Sequence, residues 1–193
     1  MMKRVAALIV ALLAASPALA HTGGGLAGGF AGGFAHPFFG PDHVAAMVAV
    51  GLWGAFLGMP AMLILPVVFP LVMAAGGVLG ILGIPLPGIE IGIAASAIVL
   101  GLMVALAAKP NLWIAAIIVG VFGIFHGHAH GAELPEGADA VAYSIGFVIA
   151  TGLLHLAGIG FGLLAQYPAG RIAVRTAGSL IAIAGLVFLG RLI

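Results

Sequence analysis

The sequence predicts an all-α protein, a polytopic membrane helix bundle in which six transmembrane helices follow a cleaved signal peptide. Of its 193 residues, 64% are hydrophobic and only 6% are charged, whereas a soluble domain carries about 25% charged residues. Because so few charges cannot cover a soluble surface, the bilayer must be the main solvent and partner. A formal net charge of only +1 argues against a nucleic-acid partner, and the lack of cysteine excludes disulfides and thiolate metal sites.

The first 20 residues have the pattern of a secretory signal peptide. Lys3 and Arg4 precede the apolar run VAALIVALLAA, and the sequence ALA at 18–20 is a small-x-small cleavage site. The alternative is an uncleaved first membrane helix. Cleavage would make His21 the N-terminal residue, so its amine and imidazole would form a metal chelate or belong to a disordered terminus.

Residues 21–193 are then a single domain of six spans, separated by turn-forming sequences. The paired prolines of GIPLPG (83–88) break a helix, and GAELPEGAD (131–139) and YPAGR (167–171) mark two further loops. A spanning helix needs about 20 apolar residues. We predict spans over residues 41–58, 61–82, 89–108, 112–130, 140–166 and 172–193, the first preceded by a half-embedded stretch from residue 26.

Glycine is abundant and clusters in GGGLAGGFAGGF (23–34). Leu26, Phe30 and Phe34 recur there every four residues, which favours a packed, membrane-embedded helix or re-entrant segment over a flexible linker. Small residues let membrane helices approach closely, so the glycine-rich faces would also permit a homo-oligomer.

The basic residues predict the orientation. A cleaved signal leaves the mature N-terminus in the periplasm, with the chain in a bacterial inner membrane. Six spans then bring Lys109, Arg171 and Arg175 to the cytoplasm and leave Arg191 outside, in agreement with the positive-inside rule. The carboxylates that fall on the outer side would attract cations to it: Glu90, Glu133, Glu136 and Asp139.

Polar side chains inside these apolar spans are costly in lipid, so they usually face a cavity or a partner. They occur in four places: His36, Asp42 and His43; His126, His128, His130 and Glu133; Thr151 and His155; and Glu90 with Ser96.

The spacing sorts these residues. His126, His130 and Glu133 lie at i, i+4 and i+7 and form one helical stripe, whereas His128 points away from it and is expected to be exposed or in a loop. Pro41 can open the first span, with Asp42 in its first turn, so His36 should come from a broken segment before it.

Both histidine motifs lie towards the outer face by the predicted orientation and could converge. Imidazoles with carboxylates suit Ni²⁺, Co²⁺ or Zn²⁺, whereas Mg²⁺ and Ca²⁺ prefer oxygen ligands, and no organic cofactor is implied. The carboxylates could instead orient the imidazoles through their N–H groups. For His155 the alternative is a hydrogen bond to a neighbouring helix, and for Glu90 it is a helix cap.

Three functions remain open on these residues: a metal transporter that is not an enzyme, an intramembrane zinc hydrolase, and a metal-binding sensor or accessory protein. A hydrolase would assemble zinc and an activated water from His126, His130, an aspartate and Ser96. The chain has no GxxxxGK[ST] motif for ATP.

The motifs resemble those of one family. HPFFGPDH (36–43) is similar to the HPxxGxDH signature of the HupE/UreJ family of nickel permease-like proteins, and FHGHAHGAE (125–133) is similar to its FHGxAHGxE signature. GFVIATGLLHLAG (146–158) and GIEIGIAAS (88–96) also look like family segments, so the resemblance covers the mature chain. It implies secondary transport of nickel, with cobalt as the alternative, often for hydrogenase or urease maturation. The larger nickel/cobalt transporter family carries H-x4-D-H, one residue fewer than here, so its site geometry does not transfer directly.

The predicted metal residues combine the motifs with the histidine of the fifth span. By the resemblance, the first motif supplies His36, Asp42 and His43, and the second supplies His126, His130 and Glu133. His155 is added because it lies inside a span, and His21, Glu90 and His128 are further candidates.

Overall fold

The computed structural model describes residues 28–192, which form seven α-helices and contain no strand. The all-α prediction is confirmed over this range. The signal peptide, His21 and Leu26 lie outside the described residues, so the predictions made for them stay predictions. The helices are α1 (Phe30–Phe39), α2 (Pro41–Leu57), α3 (Ala61–Ile81), α4 (Ile89–Ala105), α5 (Leu112–Ala132), α6 (Ala140–Gly162), followed by a 3₁₀ turn (Leu163–Gln166), and α7 (Pro168–Gly190).

Four of these segments are long and apolar enough to cross a bilayer: α3, α5, α6 with its 3₁₀ turn, and α7. A fifth is added if α1 and α2, which meet at an angle of 85°, are taken as one broken span. Helix α4 has 17 residues and is shorter than a usual span. The chain is therefore a multi-pass membrane protein, and the count of six spans stays a prediction.

The break before Pro41 is confirmed and falls at Gly40, but the segment that carries His36 is itself a continuous helix. The residue that precedes a proline is disfavoured in helical conformation, and Gly40, which precedes Pro41, is extended at φ −92° and ψ 104°. His36 also precedes a proline, yet it remains inside α1 with Pro37. Glycine has a much lower helix propensity than histidine, so the chain breaks at the glycine.

Glycines set the closest helix pairs, which are α3 with α5, α2 with α6 and α4 with α7. A Cβ atom on Gly127 of α5 would collide with the carbonyl oxygen of Met73 on α3, and one on Gly51 of α2 would collide with the carbonyl of His155 on α6. These glycine faces therefore pack against other helices of the same chain. A homo-oligomer through the remaining small-residue faces stays a prediction.

The bundle has two chemically different ends. The Lys109 ammonium lies 5.2 Å from the centre of the Phe56 ring, near the end of α2, and Arg175 Nε donates to the Ala105 carbonyl at 2.7 Å. Asp42 lies at the other end of α2, about 25 Å away along a 17-residue helix. Apolar side chains such as Leu71 of α3, 66% exposed, cover the outward helix faces between these ends and fit a lipid environment.

Candidate metal centre

Three histidines from the two motifs meet at the end of the bundle that carries Asp42. The ring centres of His36 and His43 lie 6.1 Å apart, those of His36 and His130 4.8 Å, and those of His43 and His130 4.4 Å. One ring nitrogen of each lies within 4.8 Å of the other two. Nitrogens that share an ion at about 2.1 Å lie about 3–4 Å apart, so small side-chain movements would bring all three to one ion.

The fold produces this meeting through the bend and the packing of α6. The 85° bend at Gly40 sets α1 nearly perpendicular to α2, and the ring of His36 at the end of α1 lies beside that of His43 at the start of α2. Tyr143 and Phe147 of α6 wall the site, since the Phe147 ring centre lies 4.2 Å from that of His130 and 6.0 Å from that of His36. We call the three imidazoles the histidine cluster; the α6 rings form one wall of it, against His36 and His130.

Asp42 contacts the histidine cluster through His43. Its Oδ1 lies 2.7 Å from His43 Nδ1 and also accepts the backbone N–H of His43 at 2.9 Å. A carboxylate in this position holds the proton on Nδ1 and orients the ring for ligation by the other nitrogen. His43 Nε2 is buried and has no hydrogen-bond partner among the described residues, so it is available as a ligand.

His126 lies one turn below His130 on α5, with its ring centre 5.1 Å from that of His43. Ser96 Oγ lies 2.6 Å from the Ile93 carbonyl oxygen and 2.9 Å from His126 Nε2. Two oxygens at 2.6 Å need a proton between them, and the hydroxyl has only one to donate. Ser96 must therefore accept from His126 Nε2–H, which leaves His126 Nδ1 as the nitrogen with a free lone pair.

Two predicted residues, Glu133 and Glu90, are not among the three whose ligand atoms lie within 4.8 Å of one another. Glu133 follows the last residue of α5 as its C-cap and is exposed, because the helix ends at Ala132 before the stripe reaches its third member. Glu90 is exposed in the first turn of α4, where a carboxylate is favoured by the helix dipole, so its role at the helix N-terminus stays open beside metal binding.

The expectation for His128 is wrong in another way. It points away from the stripe, but it is buried at 5% exposure rather than exposed, and its Nε2 lies 2.6 Å from the Ile84 carbonyl oxygen. The loop after α3 folds over this part of α5, which sequence periodicity does not reveal. His128 therefore ties the loop to the helix.

This contact predicts a structural role for His128. Replacing it with alanine should lower the free energy of unfolding by about 1–3 kcal/mol, because the Ile84 carbonyl loses its donor. His128→Gln, whose amide can still donate, should be milder, and neither change should alter nickel affinity per folded molecule. Thermal unfolding in detergent and nickel equilibrium dialysis would check this. Loss of nickel affinity in a stable His128→Gln protein would contradict it.

A cleft of about 190 Å³ lies between α3, α5 and α6, and His130, Tyr143 and Phe147 are part of its lining. His155 lies deeper, on α6, and is 1% exposed. It does not contact the histidine cluster directly, although its ring and that of His126 both lie 5.5 Å from the ring of Phe69. The sequence analysis did not single out Phe69 and Phe147, because an apolar side chain in a membrane span is not distinguished from the many others around it.

The apolar helices and the histidine cluster, in which His43 and His130 are buried and His36 is half-buried, define a multi-pass membrane protein with a candidate metal centre. Comparison with known proteins identifies its family. The HupE / UreJ protein family model matches residues 9–188, and the chain belongs to that family. It is 46% identical over 176 residues to Protein HupE of Rhizobium leguminosarum bv. viciae, covering 91% of this chain and 92% of that protein. No solved structure matches.

Proposed function

We propose that this protein is a secondary transporter that moves Ni²⁺, with Co²⁺ as the alternative cargo, across the bacterial inner membrane into the cytoplasm. The observation that carries the proposal is the histidine cluster, in which three imidazoles from two motifs converge within 4.8 Å at one end of an apolar bundle. Membership of a family whose motifs resemble nickel permeases supports it.

The proposed path starts at the outer face. A hydrated ion exchanges water for nitrogens of His36, His43 and His130, and the charge of Asp42, held 2.7 Å from His43, offsets part of the charge of the ion. Imidazole suits Ni²⁺ and Co²⁺, and the absence of thiolates keeps binding reversible. His126 Nδ1 is the next ligand inward. The path then passes the ring of Phe69 and reaches His155.

The hydrolase alternative needs Ser96 or a zinc-bound water as nucleophile. Ser96 Oγ uses its proton in the bond to the Ile93 carbonyl, so His126 cannot accept that proton as a general base. This hydrogen-bond direction favours a role for Ser96 in orienting His126 over a role in catalysis.

The function is tested by uptake of radiolabelled nickel into liposomes that hold only the purified protein, under an imposed membrane potential. We expect saturable uptake, inhibited by cobalt more than by zinc. Protein-free liposomes give the background. Tight nickel binding without flux would favour the sensor or accessory alternative, and release of fatty acid from the liposome lipid would favour the hydrolase.

Uptake should depend on pH, because only neutral imidazole binds a metal and protons therefore compete with the ion. An ordinary imidazole is half protonated near about pH 6.5, so uptake should fall below about pH 6. Initial rates at fixed potential between pH 5 and 8 would show this. A flat profile would count against ligation by histidine.

Ser96→Ala is expected to reduce nickel affinity about tenfold, since partners that orient a liganding histidine contribute about 10–100-fold. The variant removes the acceptor for His126 Nε2–H and leaves the ring free to choose its tautomer. Equilibrium dialysis would measure the change. Ser179→Ala, in α7 near Arg175 of the basic end, is the matched control and should bind nickel normally.

A further inference from the structure

A second group of buried polar atoms lies below the histidine cluster, on α6. Thr151 and His155 are one turn apart on the same helix face and are 0% and 1% exposed. Thr151 Oγ1 and both nitrogens of His155 have no hydrogen-bond partner among the described residues. Leaving a buried polar group unpaired costs about 1–3 kcal/mol, so these two side chains lower the stability of the fold at their positions.

A backbone oxygen of α3 joins them. Pro70 has no N–H, so the carbonyl of Pro66, one turn earlier, lacks its helical partner. This carbonyl lies beside the His155 ring, within reach of a weak hydrogen bond from one ring nitrogen that falls short of full hydrogen-bond geometry. The His155 ring therefore faces the Pro66 carbonyl across the interface of α3 and α6, and the Thr151 hydroxyl lies one turn away on the same face of α6.

The position of this group is on the inward side of the histidine cluster. His155 follows Phe147, which contacts His130, by eight residues, or about 12 Å along α6. The fully buried ring of Phe69 lies between the two sites. Its centre is 5.5 Å from the ring centre of His126 and 5.5 Å from that of His155. The next turns of α6 reach Gly162, which packs on Leu52 of α2 towards the basic end of the bundle.

We propose that His155, Thr151 and the Pro66 carbonyl form a second, weaker binding station for the divalent ion. The identity of the ion rests on the proposed function. One imidazole with two neutral oxygens suits a borderline transition ion, and water can complete its coordination. The five carboxylates of the chain all lie elsewhere: Asp42, Glu90, Glu133, Glu136 and Asp139.

The lack of a carboxylate makes this station suited to passing the ion on. Conduction needs sites that bind well enough for entry and weakly enough for exit. The histidine cluster has the charge of Asp42 beside it and should hold the ion, whereas the inner station stabilises it only with dipoles and one imidazole. The inner station would therefore lower the free-energy cost of moving the ion through the apolar middle of the bundle without trapping it there.

The test uses His155→Leu and Thr151→Val, which keep the approximate volume and remove the polar atoms. In the full-length protein in liposomes, we expect the maximal nickel uptake rate to fall at least about tenfold in each variant. Nickel affinity at the histidine cluster, measured by equilibrium dialysis of the detergent-purified protein, should stay within about twofold of native. Thermal stability should be unchanged or higher, because unpaired buried groups are removed. Thr176→Val, at an exposed position on α7, is the control with the same chemistry.

Each outcome decides the proposal. Native uptake rates in both variants would overturn it, and so would a parallel loss of cluster affinity and uptake, which would indicate a packing role. If the native protein moves no nickel, the proposed function fails, and the station is judged by nickel titration alone. A second, weaker binding event that His155→Leu removes would then support the station, and its absence in the native protein would overturn it.

Discussion

Replacing His43 with phenylalanine should abolish saturable nickel uptake and lower nickel affinity at least about 100-fold. His43 Nε2 is the candidate ligand nitrogen with the most central ring, which lies 4.4 Å from that of His130 and 5.1 Å from that of His126. Partners that only orient a ligand contribute about 10–100-fold to affinity, so loss of the ligand itself should cost no less. Equilibrium dialysis and liposome uptake measure the two effects.

Asp42→Asn separates the orienting role from direct ligation. The asparagine oxygen can still accept from His43 Nδ1, but the charge is lost, so affinity should fall by about 10–100-fold. In a His43→Gln background Nδ1 is gone, so Asp42→Asn should then lower the affinity clearly less than in the native protein, because only the loss of its charge near the ion remains. A full loss in that background would make Asp42 a ligand in its own right. For the first prediction, a His43→Phe protein that takes up nickel at the native rate would show that the ion does not pass through the histidine cluster.

Gly127→Ala should destabilise the protein by about 3 kcal/mol or more. The new methyl group would overlap the Met73 carbonyl on α3, and backbone atoms cannot move aside as a flexible side chain can. Helices α3 and α5 would separate, and His126 and His130, which flank Gly127, would move with α5. We therefore expect a lower thermal midpoint in detergent together with weaker nickel binding.

Gly152→Ala is the matched control, because nothing lies within 4 Å of a Cβ atom at that position of α6. Alanine favours a helix over glycine by about 1 kcal/mol, so this change should be neutral or stabilising and leave nickel binding intact. A Gly127→Ala protein with native stability and native nickel affinity would show that α3 and α5 are less closely packed than the structure has them.

Local chemistry is what the sequence predicts well here. Helix α3 was expected over residues 61–82 and runs over Ala61–Ile81, and α5 was expected to start at residue 112 and does. In lipid each helix must satisfy its own backbone hydrogen bonds, so hydropathy and proline positions along the chain are enough to locate it. Helix α4 is shorter than expected at its C-terminal end, where it stops at Ala105 rather than 108.

Contacts between distant residues are what the sequence does not predict. Ser96 and His126 are 30 residues apart, and no local pattern indicates that one orients the other. His128 was assigned to an exposed surface because the stripe on α5 excludes it, yet Ile84 in a loop 44 residues away covers it.

The sequence by itself determined that the chain is a helical membrane protein, which family it resembles, and which residue types could bind a metal. Only the tertiary structure decided that His36, His43 and His130 meet, and that His155 lies apart from them on α6 with Thr151. The reason is physical: the length and apolar character of a span depend on consecutive residues, whereas a binding site depends on how side chains of separate helices pack. In this chain that packing follows from an 85° bend at Gly40 and from glycine contacts between helices.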